Sequence, residues 1–387
     1  MLLIGLLIGC YNAYRAVHVS ITFDEVWTFD LASQPINDIM FAEKNFLSAN
    51  NHILNSLLIK PCVQLFGHQL WVLRLPNILA YLLYMIGSIL LSRKLFARPI
   101  FQLSLFMLLN TNLYLFDFFC LSRGYGLSNS FELMSILFLL AAFKSPKQTW
   151  IGASFLFAAL AVYANFTWIN FYLPLWCMMN VVFILKNNNH KKEKLKSLMM
   201  YNIWPLLYAS LLALISYRPI SILRKQDEFK WGANAWIDSM HTFAKDITYV
   251  NQYYLTVAVQ IVLFAFFLVV VLVLIKQFKQ KIPVEKFELL FFCAGLVFCI
   301  ISLTIMQRFI LDTRYMDGRK ATMFIVPLII LAISLLDFFY VYYTRWVKVV
   351  LLSLFSLIAF QCVALHKTIL IKEWWFYEDN QDVAAYA

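Results

Sequence analysis

The chain has 387 residues, of which 62% are hydrophobic and only 14% are charged, and its mean hydropathy is +0.72. Because a soluble domain carries about a quarter charged residues, this composition indicates an integral membrane protein. The formal net charge of +11 comes largely from short loops between apolar segments, which favours membrane topology and argues against a nucleic-acid partner. The seven cysteines are scattered without metal-ligand spacing, and we interpret them as small core residues.

The long apolar runs predict membrane-spanning helices, because they do not alternate as barrel strands do. The first run has no basic start and no small-residue cleavage site, so we expect a retained span. We therefore predict an all-α polytopic membrane protein with about eleven spans. Their approximate bounds are 1–17, 74–92, 100–118, 125–143, 149–166, 168–185, 198–217, 254–275, 287–306, 321–339 and 347–365.

Two long connections lie on one side of this predicted bundle, at residues 18–73 and 218–253. Within the first, residues 51–66 are apolar apart from a lysine and a proline, and we expect a juxtamembrane helix along the membrane surface. The second is rich in Trp and Tyr, which argues against disorder. The five short connections on the other side are dense in Lys and Arg, which places that side in the cytoplasm.

The stretch ITFDEVWTFD puts Asp24 and Glu25 directly after the first span. A solvated pair of loop charges is the simple alternative. Partial desolvation beside Phe23 and Trp27 would raise the pKa of a carboxyl group and make it a better base. We therefore take Asp24 and Glu25 as candidate catalytic residues.

The segment ANNHILNSLL opens the juxtamembrane helix with polar side chains. A helix cap with a satisfied polar face is one reading of them. The other is a polar rim of a substrate pocket, to which we assign Asn51 and His52.

The segment FDFFCLSRGYGLS forms a short turn between two spans on the same side of the bundle. Arg123 in this turn either snorkels to the interface or presents its guanidinium to a phosphate, which arginine binds bidentately. We assign Arg123 to phosphate binding, and Asp117 and Tyr125 to the pocket.

The segment TRYMDGRKATMFIVPL leads directly into the tenth span. Its cations have no topological role on this side of the bundle. Snorkelling is again the alternative, but cations at this depth can also meet an anionic head group. We assign Arg319 and Lys320 to phosphate binding.

The order of these motifs resembles the GT-C class of integral-membrane glycosyltransferases, near the protein O-mannosyltransferase and aminoarabinose transferase branch. The resemblance extends over about residues 20–366. The motifs that carry it are DE at 24–25, NNH at 50–52, RLPN at 74–77, RGY at 123–125 and GRKATMFIVPL at 318–328.

The resemblance implies about a dozen helices, an outward-facing active site and a lipid-phosphate sugar donor. The first-loop aspartate that serves such enzymes as catalytic base maps onto Asp24, and Glu25 would support it. The phosphate-binding cations of the family map onto Arg319 and Arg123 and, less directly, onto Lys320. His52 matches a histidine of the family's H-P element, although isoleucine follows it here.

These observations lead us to expect a transmembrane catalytic domain over residues 1–366 and an outer stub over 367–387. The expected reaction moves a sugar from a polyprenyl-phosphate carrier to an envelope glycan, lipid or protein acceptor and inverts the anomeric centre. It requires no metal, although the carboxylates could recruit a divalent cation. We expect a bacterial inner membrane with the site facing the periplasm. The alternatives are a lipid-linked glycan transporter or flippase, for which no convincing internal repeat is visible, and a glycan polymerase or ligase.

Overall fold

The structure is a computed structural model, and the regular secondary structure of its described part is helical apart from one antiparallel bridge between Ala233 and Tyr315. This confirms the predicted all-α class. The described residues are 1–41, 51–186, 191–249 and 252–362. The α-helices are α1 Leu2–His18, α2 Phe23–Ser33, α3 Ile36–Phe41, α4 Ile53–Phe66, α5 Leu70–Leu95, α6 Pro99–Asn110, α7 Leu113–Asp117, α8 Gly124–Lys144, α9 Gln148–Ala164, α10 Ile169–Lys186, α11 Lys191–Tyr201, α12 Ile203–Lys225, α13 Trp236–Thr248, α14 Tyr253–Lys279, α15 Glu288–Leu311, α16 Ile325–Tyr340 and α17 Thr344–Phe360.

Seven helices of the described part are long and apolar enough to cross a membrane, and the number is eight if α1 and α2 form one broken span. These two helices meet at an angle of 85°. Each of the eleven predicted segments overlaps a helix in its described part. The segment 100–118 is divided between α6 and α7, and 198–217 begins in α11 and continues in α12. Helices α6 and α9 have only 12 and 17 residues. The protein is therefore a polytopic membrane protein in which full-length spans are combined with shorter apolar helices.

Helix α8 forms the centre of the bundle and packs against α5 and α9. Within its apolar window 94% of the residues are buried, whereas only 11% are buried in the windows that contain α12 and α14. Small hydroxyl side chains allow close packing here: the hydroxyl of Ser130 donates to the carbonyl of Ala80, and that of Ser154 donates to the carbonyl of Ser135. The outlying helices α12 and α14 thus present apolar faces that suit contact with lipid.

All of the candidate residues lie at one end of the bundle, which we call the site end. Helices α1, α9 and α15 finish there, whereas α4, α5 and α8 begin there. The described short basic connections, which follow α5, α8, α14 and α16, lie at the opposite end of the bundle. The second long connection is not a loop: α12 continues into it as far as Lys225, and α13 occupies Trp236–Thr248. The expected stub at 367–387 lies outside the described residues.

Candidate functional site

A sharp turn brings the two acidic residues to the site end. Thr22 and Glu25 form a capping box, in which the hydroxyl of Thr22 accepts from the Glu25 amide at 3.3 Å and the Glu25 carboxylate accepts from the Thr22 amide at 3.1 Å. Because this box starts a new helix immediately after α1, the chain turns by 85° at this point. Asp24 and Glu25 therefore occupy the first turn of α2, and both side chains are buried.

Glu25 is held in an arrangement that we call the Glu25 clasp, formed by Glu25, Arg74 and the amide of Ser122. Arg74 donates from Nε to Oε1 at 2.8 Å and from Nη2 to Oε2 at 2.7 Å, while the Ser122 amide donates to Oε1 at 2.7 Å. Neither charged side chain is exposed to solvent. The guanidinium of Arg74 also donates to the main-chain carbonyls of Ala16, Val19 and Ser20.

The clasp therefore joins the end of α1, the start of α2, the start of α5 and the turn before α8. Both oxygens of Glu25 are engaged and enclosed, so its carboxylate is suited to positioning its neighbours. Those neighbours are Asp24 on one side of the clasp and Arg123 on the other.

Asp24 lies between two guanidinium groups. Its Oδ2 is 2.7 Å from Nη1 of Arg319 and 3.5 Å from Nη2 of Arg123. Arg123 is fully buried and also donates to the main-chain carbonyl of Asp24 at 3.1 Å and to the hydroxyl of Thr28 at 3.4 Å. The side chain of Arg319 is 26% exposed. Arg123 thus supports Asp24 from inside the protein, whereas Arg319 approaches it from the solvent side.

Tyr125 and His52 complete this group. The guanidinium carbon of Arg319 lies 5.8 Å from the centroid of the Tyr125 ring, and the His52 ring meets the same ring edge-on at 4.9 Å. His52 Nδ1 is 3.2 Å from the carbonyl oxygen of Ala164 at the end of α9. Burial, followed by the charges of Arg123 and Arg319, lowers the pKa of His52 well below its usual value, so the imidazole is neutral.

Gly124 explains how His52 comes so close to α9. A Cβ atom at this position would lie 2.0 Å from the carbonyl oxygen of Ala164 and 2.8 Å from the imidazole of His52. Only glycine fits between these groups, because both distances are far below van der Waals contact. The first glycine of the RGYG motif is therefore required by packing around His52.

Asp117 belongs to a different set of contacts. Its Oδ1 is 2.8 Å from Nη2 of Arg15, and its Oδ2 accepts from the hydroxyl of Tyr249 at 2.8 Å. Burial, reinforced by Asp117, raises the pKa of Tyr249, so this hydroxyl keeps its proton and donates it. These bonds connect α1, α7 and the end of α13, so Asp117 serves to anchor α13.

Two further candidates also bond away from Asp24. The amide nitrogen of Asn51 donates to the carbonyl of Ile39 at 3.4 Å, and its oxygen accepts from the hydroxyl of Ser56 at 3.2 Å. The ammonium of Lys320 donates to the carbonyl of Trp231 at 2.7 Å. Of the candidates from the sequence, the structure groups Asp24, Arg123, Arg319, Tyr125 and His52, while it gives other partners to Glu25, Asp117, Asn51 and Lys320.

The ion pairs that involve Asp24, Glu25 and Asp117 share these three carboxylates among four arginines, because Asp24 contacts two of them. Four guanidinium groups, of Arg15, Arg74, Arg123 and Arg319, face three carboxylates, of Asp24, Glu25 and Asp117. Sequence reasoning gave no role to Arg15 or Arg74. Their signal is an arginine inside an apolar segment, because a charge at such a position requires a partner.

Within the residues that the structure describes, no group of three or more His, Cys, Asp or Glu side chains is arranged to hold a metal ion. No family model, no curated protein and no solved structure matches this chain.

Proposed function

We propose that this protein is a membrane glycosyltransferase that uses a polyprenyl-phosphate-linked sugar as its donor. The observation that carries the proposal is the ion pair between Asp24 and Arg319, 2.7 Å long and backed by Arg123, at one end of an apolar helix bundle. It unites a proton acceptor and a phosphate-binding cation in a single contact. An amphiphilic donor with a charged head and an apolar tail suits this location.

The two guanidinium groups that meet at Asp24 support an anionic ligand. Arg319 is the more accessible of the two guanidinium groups at Asp24, and a phosphate monoanion or diester competes directly with the carboxylate for it. In the proposed mechanism the donor phosphate takes over Arg319, and Oδ2 of Asp24 is released to act as a base. Donor binding thus activates the base.

The chemical step is one displacement at the anomeric carbon. Asp24 accepts the proton of the acceptor hydroxyl or amine while the acceptor atom forms a bond to that carbon. The bond between the anomeric carbon and the phosphate oxygen breaks, and its electron pair leaves with the phosphate, whose charge Arg319 stabilises. Attack from the side opposite the leaving group inverts the anomeric centre.

The remaining residues support these two. Arg123 is fully buried and bonded to the main chain of Asp24, so in this proposal it holds the base instead of contacting the phosphate. Glu25 orients the turn through Arg74. The expected setting is a bacterial inner membrane with the site end toward the periplasm and an envelope glycan, lipid or protein as acceptor. Lys320 remains a predicted phosphate ligand of the same site, and the reaction as proposed requires no metal.

The experiment is mass spectrometry of envelope glycans and glycolipids from cells that lack the gene and from cells complemented with variants. Deletion is expected to remove one sugar residue, whose mass identifies it, and the wild-type gene is expected to restore it. Asp24→Asn is expected to lower the transfer rate by about 10²–10⁴-fold, because it removes the general base. Asp30→Asn is the matched control, since Asp30 is exposed on the same helix.

Immunoblotting of the membrane fraction establishes that each variant accumulates as wild type does. An unchanged glycan profile after deletion would contradict the proposed function. Full complementation by Asp24→Asn at wild-type abundance would remove Asp24 from the mechanism.

A further inference from the structure

One nitrogen of His52 has a partner and the other does not. Nδ1 lies 3.2 Å from the carbonyl oxygen of Ala164. Since a carbonyl oxygen can only accept, Nδ1 carries the hydrogen, and Nε2 of the neutral ring bears a lone pair. Nε2 is buried and has no hydrogen-bond partner among the described residues. Buried polar atoms are nearly always paired, so this acceptor points to a donor group that a ligand supplies.

The ring of Tyr125 connects the His52 imidazole to the proposed donor site. His52 and Arg319 contact the same ring, that of Tyr125. Arg319 is the partly exposed side chain of this group. In the proposed mechanism a phosphate draws Arg319 away from Asp24, and this movement would uncover the part of the buried Tyr125 ring that lies next to the guanidinium.

We propose that Nε2 of His52 accepts a hydrogen bond from a hydroxyl group of the sugar on the donor phosphate, which makes His52 a specificity-determining residue. This inference rests on the proposed function. The lone pair repels phosphate oxygens, which are themselves acceptors, so His52 recognises the sugar and Arg319 recognises the phosphate. Tyr125 offers the sugar an aromatic surface beside both.

A purely structural role for His52 requires only the bond from Nδ1 to Ala164. Asparagine can supply that bond, because its amide nitrogen occupies nearly the same place as Nδ1 of histidine. His52→Asn therefore keeps the contact with α9 and removes the acceptor at Nε2. His52→Gln instead carries its amide to the place of Nε2 and offers an acceptor oxygen there.

The test measures binding to the full-length protein in lipid nanodiscs. The probes are undecaprenyl phosphate and undecaprenyl phosphate carrying glucose, mannose or arabinose. We expect the wild type to bind at least one glycosylated lipid more tightly than the bare lipid. His52→Asn is expected to lower the affinity for that glycosylated lipid by about 3–10-fold, which corresponds to the loss of one hydrogen bond. The affinity for the bare lipid is expected to stay unchanged. His52→Gln is expected to restore part of the loss.

A second experiment uses only the wild-type protein, so it tests the inference even if both His52 variants fail to fold. Deoxy analogues of the tightest sugar, each lacking one hydroxyl, are bound to the wild type, and one of them is expected to lose about 3–10-fold in affinity. The inference is overturned if no single hydroxyl matters, if no glycosylated lipid exceeds the bare lipid, or if a folded His52→Asn weakens both lipids equally or neither. A separate measurement tests the proposed function itself. If Arg319 does not bind the donor phosphate, Arg319→Ala leaves the affinity for bare undecaprenyl phosphate unchanged.

Discussion

Replacement of Glu25 by glutamine tests the assignment of two different roles to the adjacent carboxylates. Glu25 and Arg74 are both fully buried, and Glu25 accepts two bonds from Arg74 and one from the Ser122 amide. Glu25→Gln preserves the shape but leaves the Arg74 guanidinium buried without a counter-charge. Breaking a buried ion pair in this way costs about 3–5 kcal/mol. We therefore expect the turn between α1 and α2 to open far more often in this variant.

Cys120 provides a local probe of this opening. Its thiol is fully buried, donates to the carbonyl of Asp117 at 3.1 Å and lies two residues from Ser122 of the clasp. Burial raises the pKa of Cys120 to about 11, so the native thiol is unreactive. Cys293 on α15 is also buried and serves as a remote reference. The assay uses a background in which the other cysteines, Cys10, Cys62, Cys177, Cys299 and Cys362, are replaced by alanine.

Labelling by a maleimide dye in detergent follows the population of the open state when closing is fast. A loss of 3–5 kcal/mol corresponds to an increase in the Cys120 labelling rate of about 100- to 4,000-fold. Asp30→Asn on the exposed side of α2 is the control and is expected to change the rate by less than about threefold. A Glu25→Gln rate within tenfold of wild type, with Cys293 still protected, would refute the structural role of the clasp.

Two further predictions concern His52 and its surroundings. Gly124→Ala is expected to destabilise the protein, because the added Cβ would lie 2.0 Å from the carbonyl oxygen of Ala164. Thermal unfolding in detergent measures the effect. An unchanged midpoint of thermal unfolding would contradict the close packing at Gly124. Since the pKa of His52 is lowered in the folded state, the unfolded chain binds more protons below about pH 6.5, and stability falls as the pH decreases through this value. His52→Asn is expected to flatten this dependence between about pH 7 and pH 5, and identical pH profiles would refute it.

The helices and the location of the site were accessible from the sequence. Continuous apolar runs indicate helices without ambiguity, and alternating short basic and long mixed connections separate the two ends of the bundle. Asp24 and Arg319 are 295 positions apart in the sequence. Both were assigned to one site because Asp24 follows the first predicted span and Arg319 precedes the tenth, on the same side of the bundle. The structure joins them at 2.7 Å.

The ion-pair partners of the other acidic side chains could not be predicted from the sequence. Glu25 pairs with Arg74, 49 residues away, and Asp117 pairs with Arg15, 102 residues away. Such pairs depend on the rotation and depth of each helix, and apolar runs carry little information about either. The expected catalytic and pocket roles of Glu25 and Asp117 came from their neighbours in the sequence, whereas their contacts in the structure are mainly with helices that sequence reasoning did not bring together.

The pair formed by Arg15 and Asp117 also has a consequence for biogenesis. Arg15 lies in the last turn of α1, and during synthesis it emerges 102 residues ahead of the aspartate with which it pairs, so until α7 is made its long side chain can extend to the water at the membrane surface. We expect the first helix to settle into its final depth only after α7 has left the ribosome. Helix α1 would then reach its final position after the helices that follow it in the early bundle, although it is made before them.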